Sequence, residues 1–139
     1  MRILGLDYGR RRIGLSISDE SACLASPLPF YKRVYLRKDL YALAKIAKEQ
    51  NAAALVIGLP LNMDGSKGEM AQEVEAFARE LQAIVKRPVE LYDERLSSSE
   101  AERVLLEGNV NRQKRKQLRD GLAATVILQG FLDSRAKSE

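Results

Sequence analysis

The sequence predicts an α/β fold with a mixed sheet that is antiparallel at its start and parallel afterwards. The first eighteen residues contain two apolar segments separated by a short turn, which favours a hairpin. Beyond residue 36, helical and strand patterns alternate, as they do where helices cross between parallel strands. The length of 139 residues fits one domain, which we expect to span residues 1–139.

The first half of the chain predicts three strands. Residues 2–7 (RILGLD) are almost continuously apolar, as in a strand covered on both faces. Residues 12–18 (RIGLSIS) alternate between apolar and small residues, which predicts a half-buried strand paired with the first across a turn at Gly9. A third strand is expected between Leu28 and Leu36, although nearby prolines obscure where it begins.

The second half predicts helices that alternate with short strands, followed by two more helices. The signals are the three-to-four-residue apolar period, short apolar runs, turn-forming residues and a capping box at Ser97 and Glu100. The predicted elements are a helix around residues 40–48, a strand at 53–57, a loop at 58–68, a helix at 70–84, a strand at 89–92, a helix from Ser97 to near Gly108, and a last helix at 112–134.

The composition restricts the available chemistry. The chain has no histidine and a single cysteine, Cys23, which excludes histidine-dependent nucleophilic catalysis, an intrachain disulfide and zinc sites built from histidine or several cysteines. Proton and metal chemistry must therefore fall to Asp, Glu, Lys, Tyr or water. No segment approaches the roughly 20 apolar residues of a membrane span, and we expect a cytoplasmic protein.

Positive charge is clustered, and the net charge is +4. The clusters lie at residues 10–12, 32–33 and 112–119, the last with five cations in eight residues. Such clusters attract phosphates, so nucleic acid is an expected partner. The alternative is that these residues form ordinary solvated surfaces. Only the cluster at residues 112–119 has a higher density of charge than such a surface usually has.

Three positions carry carboxylates where apolar neighbours are expected. Asp7 ends an apolar strand, and Asp93 and Glu94 follow another, at the strand ends where α/β sheets bind ligands. Asp120 shares a helical face with apolar residues of the last helix, where an unpartnered charge would cost several kcal/mol (order of magnitude).

Two kinds of partner would satisfy Asp120, and spacing alone leaves both open. One is an arginine, such as Arg12 or Arg95, in a structural ion pair. The other is a divalent cation, Mg²⁺ or Mn²⁺, shared with Asp7 and Glu94. A carboxylate cluster with such metals best supports phosphodiester hydrolysis, which needs no histidine.

Four segments of the chain, in order, resemble the signature blocks of the YqgF family. They are LDYGRRRIGLSISD (6–19), VIGLPLNMDG (56–65), YDERLSSSEA (92–101) and DGLAATVILQGFL (120–132). The family is bacterial, belongs to the ribonuclease H-like superfamily, and includes pre-16S rRNA nucleases and Holliday-junction-resolvase homologues. The resemblance implies a ribonuclease H-like fold, with an antiparallel three-strand start and helices on both faces of the sheet.

The resemblance also implies roles for individual residues. Asp7, Glu94 and Asp120 become the catalytic, metal-binding residues, and Asp93 a helper that orients the site. Together with the glycine turn and the first cationic cluster, it gives five substrate-binding candidates: Gly9, Arg11, Arg12, Arg95 and Ser98. One departure is Arg119, where the family often has an aliphatic residue.

The function expected from these observations is a divalent-metal-dependent nuclease that processes the ends of precursor 16S rRNA in ribosome biogenesis. One alternative is a Holliday junction resolvase acting on branched DNA, which requires a homodimer to place two related cuts. Another is a non-catalytic nucleic-acid-binding regulator. Nucleotide binding in the manner of actin-like proteins and sugar kinases is disfavoured, because those folds need two such domains.

Overall fold

A five-stranded mixed sheet forms the centre of the molecule. The computed structural model describes the backbone of residues 1–96 and 112–138 and the side chains of residues 1–96 and 121–136. The described elements are β1 (Arg2–Asp7), β2 (Arg12–Ser18), β3 (Ala25–Lys32), α1 (Leu36–Glu49), β4 (Ala52–Leu59), α2 (Glu69–Val85), β5 (Val89–Asp93), a 3₁₀ turn (Glu94–Leu96) and α3 (Arg112–Ser138).

The strand order β3-β2-β1-β4-β5 confirms the predicted mixed sheet. β2 pairs antiparallel with both β1 and β3, whereas β4 runs parallel to β1 and to β5. The register places Asp7 opposite Gly14 and Leu59 opposite Asp93. Because β1, β4 and β5 are parallel, their carboxyl ends lie at one edge of the sheet.

Helices cover both faces of the sheet, as the sequence predicts. Leu4 and Leu6 of β1 belong to a buried cluster that includes residues of α1 and α2. Ile3 and Val56 point the other way, into a second cluster with Leu128 of α3. Burial on two sides explains why β1 is almost continuously apolar.

The third strand differs from the prediction at both ends. β3 begins at Ala25 and ends at Lys32, so it includes both Pro27 and Pro29. It lies at the edge of the sheet, where a proline is tolerated because its missing N–H need not serve a second neighbour. β4 also continues to Leu59, two residues beyond the predicted end.

The helices at residues 36–49, 69–85 and 112–138 are confirmed, each longer than its apolar pattern. The face of α3 that packs on the sheet includes Ala124, Ile127 and Phe131, but Ala123 is exposed, contrary to the predicted stripe. The helix predicted from Ser97 lies outside the described residues. Within the ranges described, no helix is long and apolar enough to cross a membrane.

Candidate active site

Asp7 and Glu94 lie at the same edge of the sheet and on the face that α3 covers. In β1, side chains alternate, and Ile3 on the α3 side predicts the same side for Asp7. Tyr92 of β5 also packs in the α3 cluster, and Glu94 follows it by two residues. The fold therefore brings together two carboxylates that are 87 positions apart in the chain.

Gly58 in β4 makes room for one of these carboxylates. A Cβ built on Gly58 would lie 2.5 Å from Oε1 of Glu94 and 2.5 Å from Cδ1 of Ile127. The Glu94 side chain therefore lies directly over the bare backbone of β4, which is the strand between β5 and β1. The glycine lets the carboxylate reach toward Asp7 beneath the side chain of α3 residue Ile127.

The ionised forms of Asp7 and Glu94 are disfavoured in the metal-free protein. Burial raises the pKa of Asp7. Burial also raises the pKa of Glu94, and the negative charges of Asp7 and Asp93 raise it further. Among the described side chains, neither Asp7 nor Glu94 has a hydrogen-bond or ion-pair partner. A cation placed between them would relieve both desolvation and repulsion.

Asp93, the neighbour of Glu94, is paired with Arg95. The guanidinium of Arg95 donates to both carboxylate oxygens of Asp93, at 2.8 Å from Nη2 and 3.1 Å from Nε, and its backbone N–H donates at 3.0 Å. These hydrogen bonds lower the pKa of Asp93. The geometry thus associates Glu94, rather than its neighbour Asp93, with Asp7.

Arg95 also connects the sheet edge to the loop at residues 60–68. Its Nη1 donates to the Met63 carbonyl at 3.1 Å. The loop turns at Gly65, whose φ of +87° favours glycine, and its N–H donates to the Asn62 carbonyl at 2.8 Å. Arg95, a predicted phosphate contact, is therefore engaged by Asp93 and this loop.

The helix α3 runs toward the same edge of the sheet. Its residue Gln129 accepts a hydrogen bond from the Ala25 N–H at 2.9 Å, at the start of β3. Nearer the helix N-terminus, a Cβ on Gly121 would lie 2.9 Å from Pro27 Cβ, farther along the same strand. Since β3 is parallel to β1, the N-terminal end of α3 points to the edge that holds Asp7.

Position 120 precedes Gly121 in this helix and lies four and seven residues before Ala124 and Ile127, which pack on the sheet. The side chain of Asp120 lies outside the described residues, and so does Ser98. Among the described side chains, no group of three His, Cys, Asp or Glu residues could hold a metal ion. The third carboxylate of the predicted site therefore stays a prediction.

The turn after Asp7 has a defined shape. A Cβ on Gly9 would collide with the carbonyl oxygen of Arg12, so the turn itself requires a glycine. Arg10 is paired with Glu73, at 3.0 Å from Nη2 to Oε2. Arg12 lies over the ring of Phe30, with its Cζ 5.1 Å from the ring centroid. Of these residues, Arg11 and Arg12 keep guanidinium donors that no described carboxylate pairs with, and these donors are available to a substrate phosphate.

A buried ion pair behind this turn was not predicted from the sequence. Nε of Arg33 donates to Oδ2 of Asp39 at 2.9 Å, and the Asp39 side chain is 1% exposed. Nη1 of Arg33 donates to the Gly9 carbonyl at 3.0 Å, so the pair holds the turn. The signal was available: Asp39 lies four and eight residues before the buried Leu43 and Ala47, which is the pattern that singled out Asp120.

The ionised form of Asp39 is the stable one in this network. Burial opposes ionisation, but hydrogen bonds from the Val34 N–H, Arg33 and Tyr31 outweigh it and lower the pKa of Asp39. Its charge is therefore paired within the fold, in contrast to those of Asp7 and Glu94, which have no partner among the described side chains.

Comparison with known proteins agrees with the motifs and the fold. The model of the RuvX family, described as Holliday junction resolvase, matches residues 1–134. A protein of Syntrophomonas wolfei named "Putative pre-16S rRNA nuclease" is 48% identical over 133 residues, which cover 96% of this chain and 94% of the relative.

Solved structures agree with the fold. Thermus thermophilus RuvC aligns with a TM-score of 0.62 at 14% identity and covers 99% of this chain and 97% of its own. The same organism's RuvC in complex with a Holliday junction substrate aligns with a TM-score of 0.60 at 17% identity, over 98% and 96% of the two chains. At these identities the likeness concerns the fold alone, and it confirms the ribonuclease H-like architecture.

Proposed function

Since the chain belongs to the RuvX family of Holliday junction resolvases and pre-16S rRNA nuclease relatives, we propose that it is a divalent-metal-dependent nuclease with Asp7, Glu94 and Asp120 as its catalytic residues. The observation that carries the proposal is the Asp7–Glu94 pair. Two carboxylates from separate strands lie at the ligand-binding edge of the sheet, partly buried and without a described cationic partner.

The chemistry of this donor set fits Mg²⁺ or Mn²⁺. Both ions prefer oxygen ligands and keep coordinated waters, and the space over Gly58 admits a carboxylate but not a Cβ. Asp7 and Glu94 would hold the ion, with Asp120 as the third ligand from α3. When bound, the metal supplies charge for a phosphodiester in the transition state and an activated water.

The chain's own residues would position the substrate around this centre. Arg12 keeps its guanidinium donors beside the turn, and the guanidinium of Arg11 has no partner among the described side chains. Both can contact phosphate oxygens, as cations that bind nucleic-acid backbones do. Gly9 has no side chain to keep a substrate phosphate away from the backbone of the turn. Ser98 stays a predicted phosphate contact.

The substrate we favour is the end of precursor 16S rRNA. A relative that is 48% identical over almost the whole chain is named "Putative pre-16S rRNA nuclease". Such processing would place the protein in the cytoplasm. The description of the family model favours a second candidate, the DNA four-way junction. That function would require a homodimer, since resolution needs two symmetric cuts.

Cleavage assays on purified protein test the catalytic assignment. Asp7→Asn and Glu94→Gln should each lower Mn²⁺-dependent cleavage by at least about 100-fold, because a lost ligand removes transition-state stabilisation by the metal. Glu80→Gln, an exposed carboxylate on α2, is the matched control and should cleave at the wild-type rate. Equal cleavage by wild type and Asp7→Asn would show that the activity comes from a contaminant.

A substrate comparison separates the two candidates. Wild-type protein is incubated with Mg²⁺ or Mn²⁺ and either precursor 16S rRNA or a synthetic four-way DNA junction. Trimmed RNA ends with an intact junction are the expected result. Paired symmetric nicks in the junction, with the RNA left whole, would replace the RNA assignment with the resolvase.

A further inference from the structure

Helix α1 presents aromatic and cationic side chains on its outer face. The side chains of Tyr35 and Tyr41 are 61% and 56% exposed, which is unusual for large rings. They line a shallow cavity of about 470 Å³ together with Lys38 and Lys45. None of these four side chains contributes to the two buried clusters that hold the fold together.

The charge of this face is one-sided. Residues 31–48 contain six lysines and arginines and a single acid, Asp39, which is buried and paired with Arg33. Lys38 has no partner among the described residues, and Lys45 has only a 3.9 Å contact with Glu49. The face therefore carries a surplus of positive charge, because Glu49 offsets only Lys45 and Lys38 has no described side-chain partner.

The face adjoins the turn that follows Asp7. Tyr35 also lines a second cavity, of about 500 Å³, together with Arg11 and Lys32. Lys32 is the cross-strand partner of Arg12. Arg12 is two residues before the partner of Asp7 in β2, so it lies on the same face of the sheet as Asp7. A path of cations thus leads from Arg12, on the Asp7 side of the sheet, past the strand ends to α1, which covers the opposite face.

We propose that this path binds a single-stranded segment of the nucleic-acid substrate that flanks the cleavage site. We call it the α1 track, and its residues are Arg11, Lys32, Tyr35, Lys38, Tyr41 and Lys45. The proposal deepens the proposed nuclease function, on which it rests. Cations that follow the backbone and exposed rings that stack on bases are the combination by which proteins hold single strands.

The aromatic spacing favours unpaired bases over a duplex. Tyr35 and Tyr41 are six residues apart, or about 9 Å along a helix, which is the length of two to three stacked bases. Bases inside a duplex are stacked on one another and cannot stack on a side chain. An acidic protein is the other occupant that the charge allows, but its carboxylates would make no use of two exposed rings.

Binding measured in EDTA tests the track without cleavage. Fluorescence anisotropy gives the Kd of a labelled 12-nucleotide RNA strand, a 4-nucleotide strand and a 12-base-pair duplex. Tyr41→Ala should weaken binding of the 12-nucleotide strand by about 5- to 150-fold, the usual loss for one stacked base. The 4-nucleotide strand and the duplex should be affected much less.

Two further variants identify the physical cause. Tyr41→Phe keeps the ring and should bind with wild-type affinity. If the hydroxyl of Tyr41 were required instead, Tyr41→Phe would bind as weakly as Tyr41→Ala. Lys38→Ala should lower the slope of log Kd against log salt by about 0.7, the value for one phosphate contact on a single strand. Arg79→Ala removes an exposed cation of α2 outside both cavities and should change neither quantity.

Unchanged affinity in Tyr41→Ala, or an equal loss on duplex and single strand, would overturn the track. Tighter binding of a polyglutamate peptide than of the RNA would replace it with a protein-binding surface. These outcomes are separate from those of the proposed function. A protein that binds RNA through Tyr41 but cuts neither substrate would refute the nuclease, whereas normal cleavage with an unaffected Tyr41→Ala would refute only the track.

Discussion

Gly58→Ala is the most direct test of the space that the fold leaves for Glu94. The new Cβ would lie 2.5 Å from Glu94 Oε1 and 2.5 Å from Ile127 Cδ1, so both groups must move by about 1 Å to reach van der Waals distance. Overpacking costs about 1–3 kcal/mol, and the lost flexibility of glycine returns about 0.5–1 kcal/mol. A net loss of up to about 2.5 kcal/mol in unfolding free energy is expected.

The effect on catalysis should exceed the effect on stability. A displacement of about 1 Å in a catalytic group costs on the order of 100-fold in rate. The assay is Mn²⁺-dependent cleavage at 25 °C, with urea unfolding measured on the same preparation. Gly130→Ala is the matched control, because its Cβ would approach Tyr92 Oη, at 2.9 Å, rather than a proposed ligand. Cleavage by Gly58→Ala at the rate of Gly130→Ala would refute the placement of Glu94 in the site.

Three further predictions concern stability. Asp39→Asn leaves the buried Arg33 charge unpaired and should lower the urea-unfolding free energy by about 3–5 kcal/mol at pH 7. Because the pKa of Asp39 is lowered in the folded protein, the wild type should lose this contribution as the pH falls below about 4. An unchanged unfolding free energy in Asp39→Asn would exclude the pair as a stabilising element. Asp7→Asn should raise Tm in EDTA at pH 7, because the raised pKa of Asp7 means that its ionisation destabilises the metal-free fold as the pH rises above about 4. The gain in Tm should vanish near pH 3, where Asp7 is protonated in both states. A lower Tm of Asp7→Asn at pH 7 would contradict this expectation. Ser16→Ala removes the 2.7 Å hydrogen bond from Oγ to the Ala124 carbonyl and should cost about 1–3 kcal/mol, measured by thermal unfolding, whereas a neutral effect would show that α3 docks without it.

The sheet and its order of elements could be predicted because their signals are local. The apolar run of β1, the alternation of β2 and the helical period of α2 each repeat within a few residues. The extent of β3 was mispredicted because proline tolerance depends on being an edge strand, which is a property of the whole sheet.

The candidate site was only partly accessible to sequence reasoning. Asp7 stands out because an acid ends an apolar strand, but choosing Glu94 over Asp93 needed either the family motif or the structure. The structure supplies a physical reason. Arg95 binds the carboxylate of Asp93 through two hydrogen bonds, whereas the side chain of Glu94 packs over Gly58. The importance of Gly58 depends on a contact across 36 positions, which no local pattern contains.

The five described strands precede α3 in the chain, and α3 packs on one face of the sheet. While the protein is being synthesised, Ile3, Val56 and Tyr92 therefore stay uncovered until the last helix docks. The same docking event would deliver the proposed third ligand, Asp120, to Asp7 and Glu94. A partly made chain would thus hold an incomplete centre, and the proposed cleavage would require the completed fold.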